Sequence, residues 1–354
     1  MSQQLIFTND VAGAIDNWAR TAAPTRLFVI ADTNTASLVL PQLEEKSSAI
    51  AEAAKIIVGA GEGFKNITTL AEIWSELCSG GATRSAAVIN IGGGVITDMG
   101  GFAAATFKRG IRFVNVPTTL LAAVDAAVGG KTGIDFRGLK NEIGAFAPAD
   151  AVIISTRFFR TLPATELRSG YAEMLKHALL AGDGSFDRLI SVEPDSLTDD
   201  ELLELVKQSV LVKKDVVTKD PTEKGLRKAL NLGHTPGHAF ESLALEKGSP
   251  VPHGYAVAWG LVVDLVLSHL KLGFPSALLR QVAQYVLDTY NVPDINCTDY
   301  PRIVEYMRHD KKNAGDGTIS FTLLSAPGQV DVSCTAEPDE ITAALDIFRD
   351  LMHI

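Results

Sequence analysis

The first half of the chain alternates short apolar runs with amphipathic helical segments. Helical periodicity is clear at Asn66–Cys78, between two of the apolar runs. Strands joined by helices of this length are typical of parallel βαβ units. Runs rich in β-branched and aromatic residues predict five strands, at Arg26–Asp32, Lys55–Val58, Ala86–Gly94, Arg112–Val116 and Ala151–Ser155.

The pattern changes after Pro163, where long helical segments take over. Residues Thr318–Leu324 and Gln329–Val332 predict a hairpin around the Pro327-Gly328 turn, and a closing helix begins at Pro338. We therefore predict an α/β domain at residues 1–163 and a mostly α-helical domain at residues 164–354. Apolar residues at three- and four-residue spacing predict helices at 164–180, 196–218, 223–246, 253–272, 275–290 and 299–310.

Composition supports a globular core and argues against some partners. Apolar residues make up 46% of the 354 residues and charged residues 21%. The net charge of −10 argues against a nucleic-acid partner, which would need a basic face. Cys78, Cys297 and Cys334 form no CxxC, so neither a disulfide framework nor a cysteine zinc site is expected.

Targeting and membrane signals are not evident in the sequence. The N-terminal residues lack a basic region followed by an apolar one, so we expect no signal peptide. The longest apolar stretch, Ala256–Leu267, is interrupted by Asp264 and predicts a buried helix rather than a membrane span. A cytoplasmic location and no membrane partner are the resulting expectations.

A glycine cluster, Gly92-Gly93-Gly94, follows a predicted strand and enters a helix. Backbone N–H groups there can approach a ligand, and a helix N-terminus favours an anion such as a pyrophosphate. The segment does not match GxGxxG, because Thr97 stands where the last glycine is required. A dinucleotide site and a structural turn both stay open, although Asp32 at a strand end and Glu62 and Lys65 in a second glycine-rich turn favour the dinucleotide.

Histidines suggest a metal site in the second half. His234 and His238 lie one helical turn apart, and His253 follows His234 by nineteen residues. Two imidazoles with an upstream carboxylate, Glu173, would leave open positions on a catalytic zinc. Packed or surface histidines are the alternative, and spacing does not decide which two imidazoles ligate.

Basic residues beside glycines or inside apolar segments suggest an anionic small-molecule substrate. Each one alone is most simply a solvated surface charge, but the set indicates carboxylate and phosphate groups. Gly-Gly-Lys131-Thr resembles the end of a P-loop. Asp125 stands where that motif requires glycine, which excludes a nucleotide triphosphatase of this type.

Six motifs follow one another along the chain: GGGVITDMGGFAAATFKRG, VPTTLLAAVDAAVGGKTGID, LKNEIGAF, ELRSGYAEMLKHALL, EKGLRKALNLGHTPGHAFE and HGYAVAWG. In this order they resemble the 3-dehydroquinate synthase family of sugar phosphate cyclases. The resemblance covers most of the chain, from about Asp32 to Asp310–Asn313, and the combination is far more specific than any one motif.

The resemblance implies a dehydroquinate synthase-like fold, with a Rossmann-like N-terminal domain, a helical C-terminal domain, an active site in the cleft between them, and a homodimer. It implies that Glu173, His234 and His253 bind zinc or cobalt, and that His238 is not a ligand but either supports the ligands or handles protons. Arg109 would reach the substrate phosphate in the partner subunit. The other residues implied for the substrate are Asp125, Lys131, Lys140, Asn141, Lys176, Lys213, Arg227, Asn231 and Lys311 or Lys312.

The resemblance also implies a bound NAD. Asp125, Lys140 and Asn141 would lie close to both NAD and the substrate. The remaining NAD contacts implied are Asp32, Asn34, Glu62, Lys65, Gly93, Gly94, Val95, Asp98, Thr118, Thr119, Leu121, Phe158 and Thr161.

The implied reaction converts 3-deoxy-arabino-heptulosonate 7-phosphate to 3-dehydroquinate and phosphate, in the shikimate pathway. Transient oxidation by NAD, phosphate elimination, reduction and an intramolecular aldol closure would follow one another. Alternatives are another sugar-phosphate cyclase, a metal-dependent alcohol or glycerol dehydrogenase of related fold, and an inactive homologue. The chain departs from the family pattern at Ala126, Ala127 and Tyr255, which puts details of the cofactor contacts in question.

Overall fold

The structure is a computed structural model that describes residues 3–308 and 318–354. The chain divides into two compact units. The first contains the residues up to Pro163 together with Leu197–Val210, and the second contains Ala164–Ser196 and Leu211–Ile354. The compact units differ from the predicted domains in one segment, Leu197–Val210, which groups with the first unit. The assignment of functional domains to residues 1–163 and 164–354 stays a prediction.

Polar contacts explain why Leu197–Val210 groups with the first unit. The Thr156 hydroxyl donates to the carbonyl of Asp199 at 2.7 Å, and Arg160 Nε donates to the Asp199 carboxylate at 2.9 Å. Asn9 Nδ2 donates to Asp200 Oδ1 at 2.8 Å. Asp199 and Asp200 open a helix, and acidic residues are favourable in a first turn. Their second role as acceptors could not be seen from helical periodicity.

The first unit is an α/β structure, as predicted. Its β-rich runs form strands where the sequence pattern placed them, with ends that differ by one or two residues. Its elements are β1 (Gln4–Phe7), α1 (Val11–Ala22), β2 (Leu27–Asp32), α2 (Thr33–Leu38), α3 (Leu40–Glu44), α4 (Ser48–Glu52), β3 (Ala54–Val58), α5 (Ile67–Ser79), β4 (Ala87–Gly92), α6 (Gly94–Thr106), β5 (Arg112–Pro117), β6 (Lys131–Phe136), β7 (Leu139–Phe146) and β8 (Ala151–Ile154).

Six strands form one parallel sheet in the order β1-β8-β5-β4-β2-β3. Every residue of β4 and β8 is buried, as expected for central strands of a sheet covered on both faces. Strands β3 and β4 lie on opposite sides of β2. The chain therefore adds β3 on one side of β2 and then crosses over to add β4 on the other side, so the strand order reverses between β2 and β4. Ligands of open α/β sheets bind at the carboxyl ends of the strands beside such a point.

Strands β6 and β7 form a separate antiparallel hairpin that the sequence pattern did not predict. Almost all of β7 is exposed, so its residues show no alternation of apolar and polar positions. Gly133 and Gly144 are opposite one another in the register, where an added Cβ would lie 2.7 Å or less from a backbone oxygen. The hairpin carries Lys131, Lys140 and Asn141.

The second unit is mostly helical, as predicted. A short 3₁₀ helix at Leu226–Asn231 precedes α10, and a hairpin of two antiparallel strands packs with the helices. Helix α9 begins in the first unit and ends in the second. The elements are α7 (Ala164–Ala181), α8 (Ser185–Ile190), α9 (Asp199–Lys219), α10 (His234–Glu246), α11 (His253–Leu272), α12 (Ser276–Tyr290), α13 (Tyr300–Arg308), β9 (Ile319–Ala326), β10 (Gln329–Ala336) and α14 (Pro338–Leu351).

The prediction of one helix over residues 223–246 is wrong. Gly233 has a φ of +79°, in the left-handed region that a continuing right-handed helix cannot contain, and the chain starts a new helix at His234. Pro236 falls in the first turn of α10, where its missing N–H costs nothing.

Helix α11 is the central helix of the second unit. By length and composition alone it could cross a membrane, since its best window has a mean hydropathy of 1.4, but 78% of that window is buried inside the protein. All residues from Gly254 to Ser268 are buried, which confirms the predicted buried helix. Tyr255 belongs to this core, because its ring packs edge-on against those of Trp259 and Tyr290.

Candidate active site

Three helices of the second unit bring together one carboxylate and two imidazoles. Glu173 lies in the middle of α7, while His234 and His253 are the first residues of α10 and α11. The three side chains can each offer one ligand atom, and these atoms lie within 4.8 Å of one another. Residues far apart in the sequence therefore meet because the ends of two helices abut the middle of a third.

Two glycines of α11 set this arrangement. A Cβ at Gly254 would lie 1.9 Å from the carbonyl oxygen of Ser169, four residues before Glu173 on α7. A Cβ at Gly260 would lie 2.0 Å from the carbonyl oxygen of Gly233. The Gly254 N–H also donates to the Ser169 hydroxyl at 3.0 Å. Because only glycine lacks a Cβ, only glycine permits these two close contacts with the backbone. The contacts let α7 and α10 pack directly against α11.

The ring nitrogens of both histidines point toward one carboxylate oxygen. His234 Nε2 lies 3.4 Å from Glu173 Oε1, and His253 Nε2 lies 3.7 Å from the same oxygen. Glu173 is fully buried and His234 nearly so, whereas 28% of the His253 side chain is exposed. The cluster is therefore open to solvent on the His253 side.

The other ring nitrogen of each histidine faces an acceptor. His234 Nδ1 lies 3.1 Å from the carbonyl oxygen of Leu232, and His253 Nδ1 lies 3.3 Å from Glu241 Oε2. A proton on each Nδ1 satisfies these contacts and makes each Nε2 the ring atom that faces the centre of the cluster. Metal-binding histidines are held in this way in proteins.

Glu241 was missed by the sequence analysis. It lies seven residues after His234 on α10, two helical turns along the same face, and this spacing was the available signal. Its carboxylate also affects the protonation of His253. Burial lowers the pKa of His253, but hydrogen bonding to Glu173 and Glu241 outweighs burial and raises the pKa to about 9.

The charge of Glu173 is stabilised by its neighbours. Burial raises the pKa of this carboxyl, but the positive charges of Lys176 and His234 lower it well below its ordinary value. Lys176 forms an ion pair with Glu173 one turn along α7, and both side chains are buried. In the metal-free chain the cluster is thus an anion surrounded by cations.

The donor set fits a divalent metal. Both carboxylate oxygens of Glu173 are buried, and the two imidazoles face Oε1 while Lys176 pairs with Oε2. Two imidazole nitrogens and one carboxylate are the ligands of many catalytic zinc sites, and they leave a coordination position for substrate.

His238 lies beside the cluster. Its ring centroid is 5.4 Å from that of His234 and 5.8 Å from that of His253. Helical spacing suggested the pair His234 and His238 as ligands, and the resemblance implied the pair His234 and His253. All three rings lie in one cluster, so both pairs are neighbours in the structure. Glu173 lies within 4 Å of the second pair.

Cationic side chains implied for the substrate are buried in the second unit. Lys176, Lys213 and Arg227 are each no more than 6% exposed, and Asn231 is half-buried. The Arg227 N–H donates to Asp220 Oδ2 at 3.0 Å, and its guanidinium donates to the carbonyl oxygen of Pro221 at 2.8 Å. Burying lysine and arginine is costly, and contacts such as the Lys176–Glu173 ion pair offset part of that cost.

The residues implied for NAD lie at the carboxyl ends of the parallel strands of the first unit. Asp32 ends β2, Gly93 and Gly94 follow β4, and Thr118 and Thr119 follow β5. The register pairs Gly92 with Pro117 and Asp32 with Val58, so these segments leave the sheet at one edge. Others at the same edge are Asn34 in α2, Glu62 after β3, Val95 in α6, Leu121 after β5, and Phe158 and Thr161 after β8.

Helix α6 offers its N-terminus at this edge. The N-cap residue of the helix is Gly93, which has no side chain to accept from the first N–H groups. A thirteen-residue helix with such an end favours a phosphate. Asp32, in contrast, caps α2, since its carboxylate accepts from Thr35 N at 2.8 Å and from the Thr35 hydroxyl at 3.1 Å.

Lys65, Asp98 and Asn141 meet in one network. Lys65 Nζ donates to Asp98 Oδ2 at 2.8 Å and to Asn141 Oδ1 at 2.5 Å. Burial lowers the pKa of Lys65, but Asp98 outweighs burial and raises it. The Asn141 N–H donates to Asp135 Oδ1 at 2.7 Å, and the Asp135 N–H donates to the carbonyl oxygen of Lys65 at 2.8 Å. The network joins α6, the turn after β3 and the β6–β7 hairpin.

Other implied residues are exposed or lie elsewhere in the first unit. Asp125 is half-buried in a π-helical turn at Ala122–Ala126, and Lys131 and Lys140 are exposed on the hairpin. Arg109 is exposed in a strained turn, where Lys108 and Arg109 have φ of +50° and +68°. Lys311 and Lys312 lie outside the described residues.

The fold and these clusters define a class of protein: a two-unit α/β and α-helical enzyme with a dinucleotide-type sheet edge and a two-histidine, one-carboxylate cluster. Comparison with known proteins identifies the group within that class. The family model described as "3-dehydroquinate synthase N-terminal" matches residues 55–169, and the one described as "3-dehydroquinate synthase C-terminal" matches residues 170–313. The chain belongs to the 3-dehydroquinate synthase family.

Individual relatives support the same family assignment. A curated 3-dehydroquinate synthase of Parabacteroides distasonis is 45% identical over 99% of both chains. The solved structure of 2-epi-5-epi-valiolone synthase from Streptomyces hygroscopicus, with NAD+ and Zn2+ bound, is 26% identical with a TM-score of 0.86, covering 99% of this chain and 97% of that one. 2-Deoxy-scyllo-inosose synthase, at 22% identity and a TM-score of 0.83 over 98% and 96% of the two chains, shares the fold.

Proposed function

We propose that the chain is a lyase of the shikimate pathway that converts 3-deoxy-arabino-heptulosonate 7-phosphate to 3-dehydroquinate and phosphate. The observation that carries the proposal is the cluster of Glu173, His234 and His253 in a chain of the 3-dehydroquinate synthase family. Bound NAD would supply transient oxidation and reduction of a ring hydroxyl, and a bound zinc or cobalt ion would polarise that oxygen.

Glu173, His234 and His253 would hold the metal. The carbonyl of Leu232 and the carboxylate of Glu241 fix the two imidazoles, so that both Nε2 atoms point at one place before any ligand arrives. Little reorganisation is then needed on binding. The NAD+ and Zn2+ bound to 2-epi-5-epi-valiolone synthase support the same two cofactors here.

NAD would bind along the sheet edge of the first unit. The N-terminus of α6 at Gly93 and Gly94 would receive the pyrophosphate, because its N-cap residue is a glycine without a capping side chain. Lys65, Asp98 and Asn141 would hold the β6–β7 hairpin beside the cofactor, through the network described above. Thr118 and Thr119, at the end of the neighbouring strand β5, would line the other side.

The buried cations would orient the substrate. Lys176, Lys213 and Arg227 supply positive charge for its carboxylate and phosphate, and Asn231 supplies a neutral hydrogen-bonding amide. Binding to groups remote from the reacting carbons holds the reactive geometry. His238, whose ring lies within 6 Å of both histidines of the cluster, would take up and return protons.

The proposal also includes a homodimer and a cytoplasmic location. Arg109 would reach the substrate phosphate bound by a second copy of the chain, and its strained, exposed turn supports such a role. Cys78, Cys297 and Cys334 are free thiols, which suits a reducing compartment.

The test is a coupled assay of the purified protein with the heptulosonate phosphate, NAD and zinc or cobalt. We expect phosphate release with formation of 3-dehydroquinate and no net NADH. Accumulation of NADH would indicate a metal-dependent alcohol or glycerol dehydrogenase instead. Phosphate release only from another heptulose or hexose phosphate would indicate a different sugar-phosphate cyclase.

A further inference from the structure

Asp264 is a buried carboxylate that the reaction above does not use. It is fully buried and is the one charged residue of the apolar stretch Ala256–Leu267. Burying a carboxylate among apolar side chains is costly, and replacing it by an apolar residue would often stabilise a protein. Its presence therefore calls for an interaction that an apolar side chain could not make.

The Asp264 side chain contacts the turn that precedes His234. Its Oδ2 accepts a hydrogen bond from the Gly233 N–H at 2.6 Å. Gly233 is the left-handed residue, with φ of +79°, that ends the 3₁₀ segment and begins α10. No side chain of the turn caps this helix, so Asp264 on α11 supplies the acceptor from outside.

Two residues on one face of α11 contact the Gly233 backbone from different sides. His253, Gly260 and Asp264 follow one another at spacings of seven and four residues, which places them along one stripe of the helix. Gly260 admits the Gly233 carbonyl, and Asp264 binds the Gly233 N–H. One stripe thus carries one histidine of the cluster and fixes the turn that carries the other.

We propose that Asp264 is a positioning residue for the metal ligand His234, acting through its hydrogen bond to the Gly233 N–H. The inference rests on the proposed metal site of Glu173, His234 and His253. Rotation of the Gly233 peptide would move the His234 ring relative to Glu173, whose Oε1 lies 3.4 Å from His234 Nε2. Loss of the acceptor therefore weakens metal binding without removing a ligand.

The test measures zinc affinity by competition with a chromophoric chelator, and the visible absorption of the cobalt-substituted protein. Asp264→Ala removes the acceptor and weakens zinc binding roughly 10- to 100-fold, the range found when outer-shell partners are lost, with a changed cobalt spectrum. Asp264→Asn keeps an acceptor of the same shape, so its affinity stays within a few-fold of the parent and its cobalt spectrum is unchanged.

Ser268→Ala is the matched control. Its hydroxyl accepts from the Leu324 N–H at 3.0 Å and donates to the Asp264 carbonyl at 2.7 Å, so its loss removes buried hydrogen bonds from the same helix without touching Gly233. This variant has a lower melting temperature and the parent's zinc affinity. If Asp264→Ala does not fold, Asp264→Ser replaces it, because its shorter hydroxyl cannot reach the Gly233 N–H.

The inference is overturned if the alanine or serine variant binds zinc with the affinity of the parent protein. It is also overturned if Asp264→Asn loses as much zinc affinity as Asp264→Ala, because the effect would then come from the charge of Asp264. The proposed function fails separately, if the zinc-loaded parent releases no phosphate. Zinc binding in these variants is measured without substrate, so the two outcomes are distinguishable.

Discussion

The Nε2 atom of His234 lies 3.4 Å from Oε1 of Glu173, a contact between two residues sixty-one positions apart in the chain. A fully buried carboxylate at this place serves two partners, since Lys176 pairs with its other oxygen. The structure therefore makes Glu173 both the anionic member of the candidate metal site and the counter-ion of a buried lysine.

Glu173→Gln keeps the shape of the side chain and removes its charge. We expect loss of measurable zinc binding, and a free energy of unfolding of the metal-free protein lower by about 3 kcal/mol, because the variant leaves the Lys176 ammonium buried without its carboxylate. Chelator competition and urea unfolding measure the two effects. The exposed pair Lys219 and Asp215 is the control, since Asp215→Asn should cost less than about 0.5 kcal/mol.

The metal-free protein should lose stability as the pH rises through the neutral range. The folded state raises the pKa of His253 from 6.5 to about 9, so the folded chain keeps a proton that the unfolded chain releases. This stabilisation is fully present below pH 6.5 and is lost as the pH rises to about 9.

Thermal unfolding in the presence of a chelator, at several pH values between 6 and 9.5, measures the trend. His253→Gln should flatten it over this interval. The zinc-loaded protein should show the opposite trend up to neutral pH, because a metal ion competes with the proton for the imidazole. A midpoint that rises with pH in the metal-free parent would contradict the assignment of a proton to His253.

Gly254→Ala and Gly260→Ala should damage the metal site although neither residue is a ligand. The added methyl group would lie 2.0 Å or less from a backbone oxygen of α7 or of the Gly233 turn, so the helices must separate. We expect a loss of about 1–3 kcal/mol in the free energy of unfolding and weaker zinc binding in both. Gly63→Ala, whose added Cβ meets nothing within 4 Å, should leave zinc binding unchanged.

Asp98→Ala should affect the cofactor rather than the metal. Lys65 is 5% exposed in its side chain, and the variant leaves its charge without the carboxylate that lies 2.8 Å away. We expect a stability loss of about 3 kcal/mol and a higher KM for NAD, with zinc affinity unchanged. Glu44→Ala, which breaks the more exposed pair with Lys55, serves as the control. An unchanged KM for NAD would place the network outside the cofactor site.

The fold class was predictable because its signal is local. The runs at Arg26–Asp32 and Ala86–Gly94 carry enough β-branched residues to specify strands, and the helix at 253–272 was placed with its observed bounds. The β6–β7 hairpin was missed because β7 is exposed and so lacks an alternating pattern. The break at Gly233 was missed because periodicity continues across it while the backbone does not.

The candidate site was predictable only in part, because its geometry depends on contacts between helices that are far apart in the sequence. Helical spacing shows His234 and His238 as neighbours, but it does not show that Gly254 and Gly260 bring α7, α10 and α11 together. The contributions of Glu241 and Asp264 depend on which helix faces which, and that information is carried by contacts between distant residues. Resemblance to a family supplied His253, since spacing alone left the choice of imidazoles open.

The zinc content of two purified variants after dialysis decides which imidazoles bind the metal. His253→Ala removes a proposed ligand, and His238→Ala removes the neighbouring histidine that is proposed to handle protons. We predict about one zinc ion per chain in His238→Ala, as expected for an intact three-ligand site, and none in His253→Ala. Zinc retained by His253→Ala and lost from His238→Ala would contradict the role of His253 as a ligand and would make His234 and His238 the ligand pair.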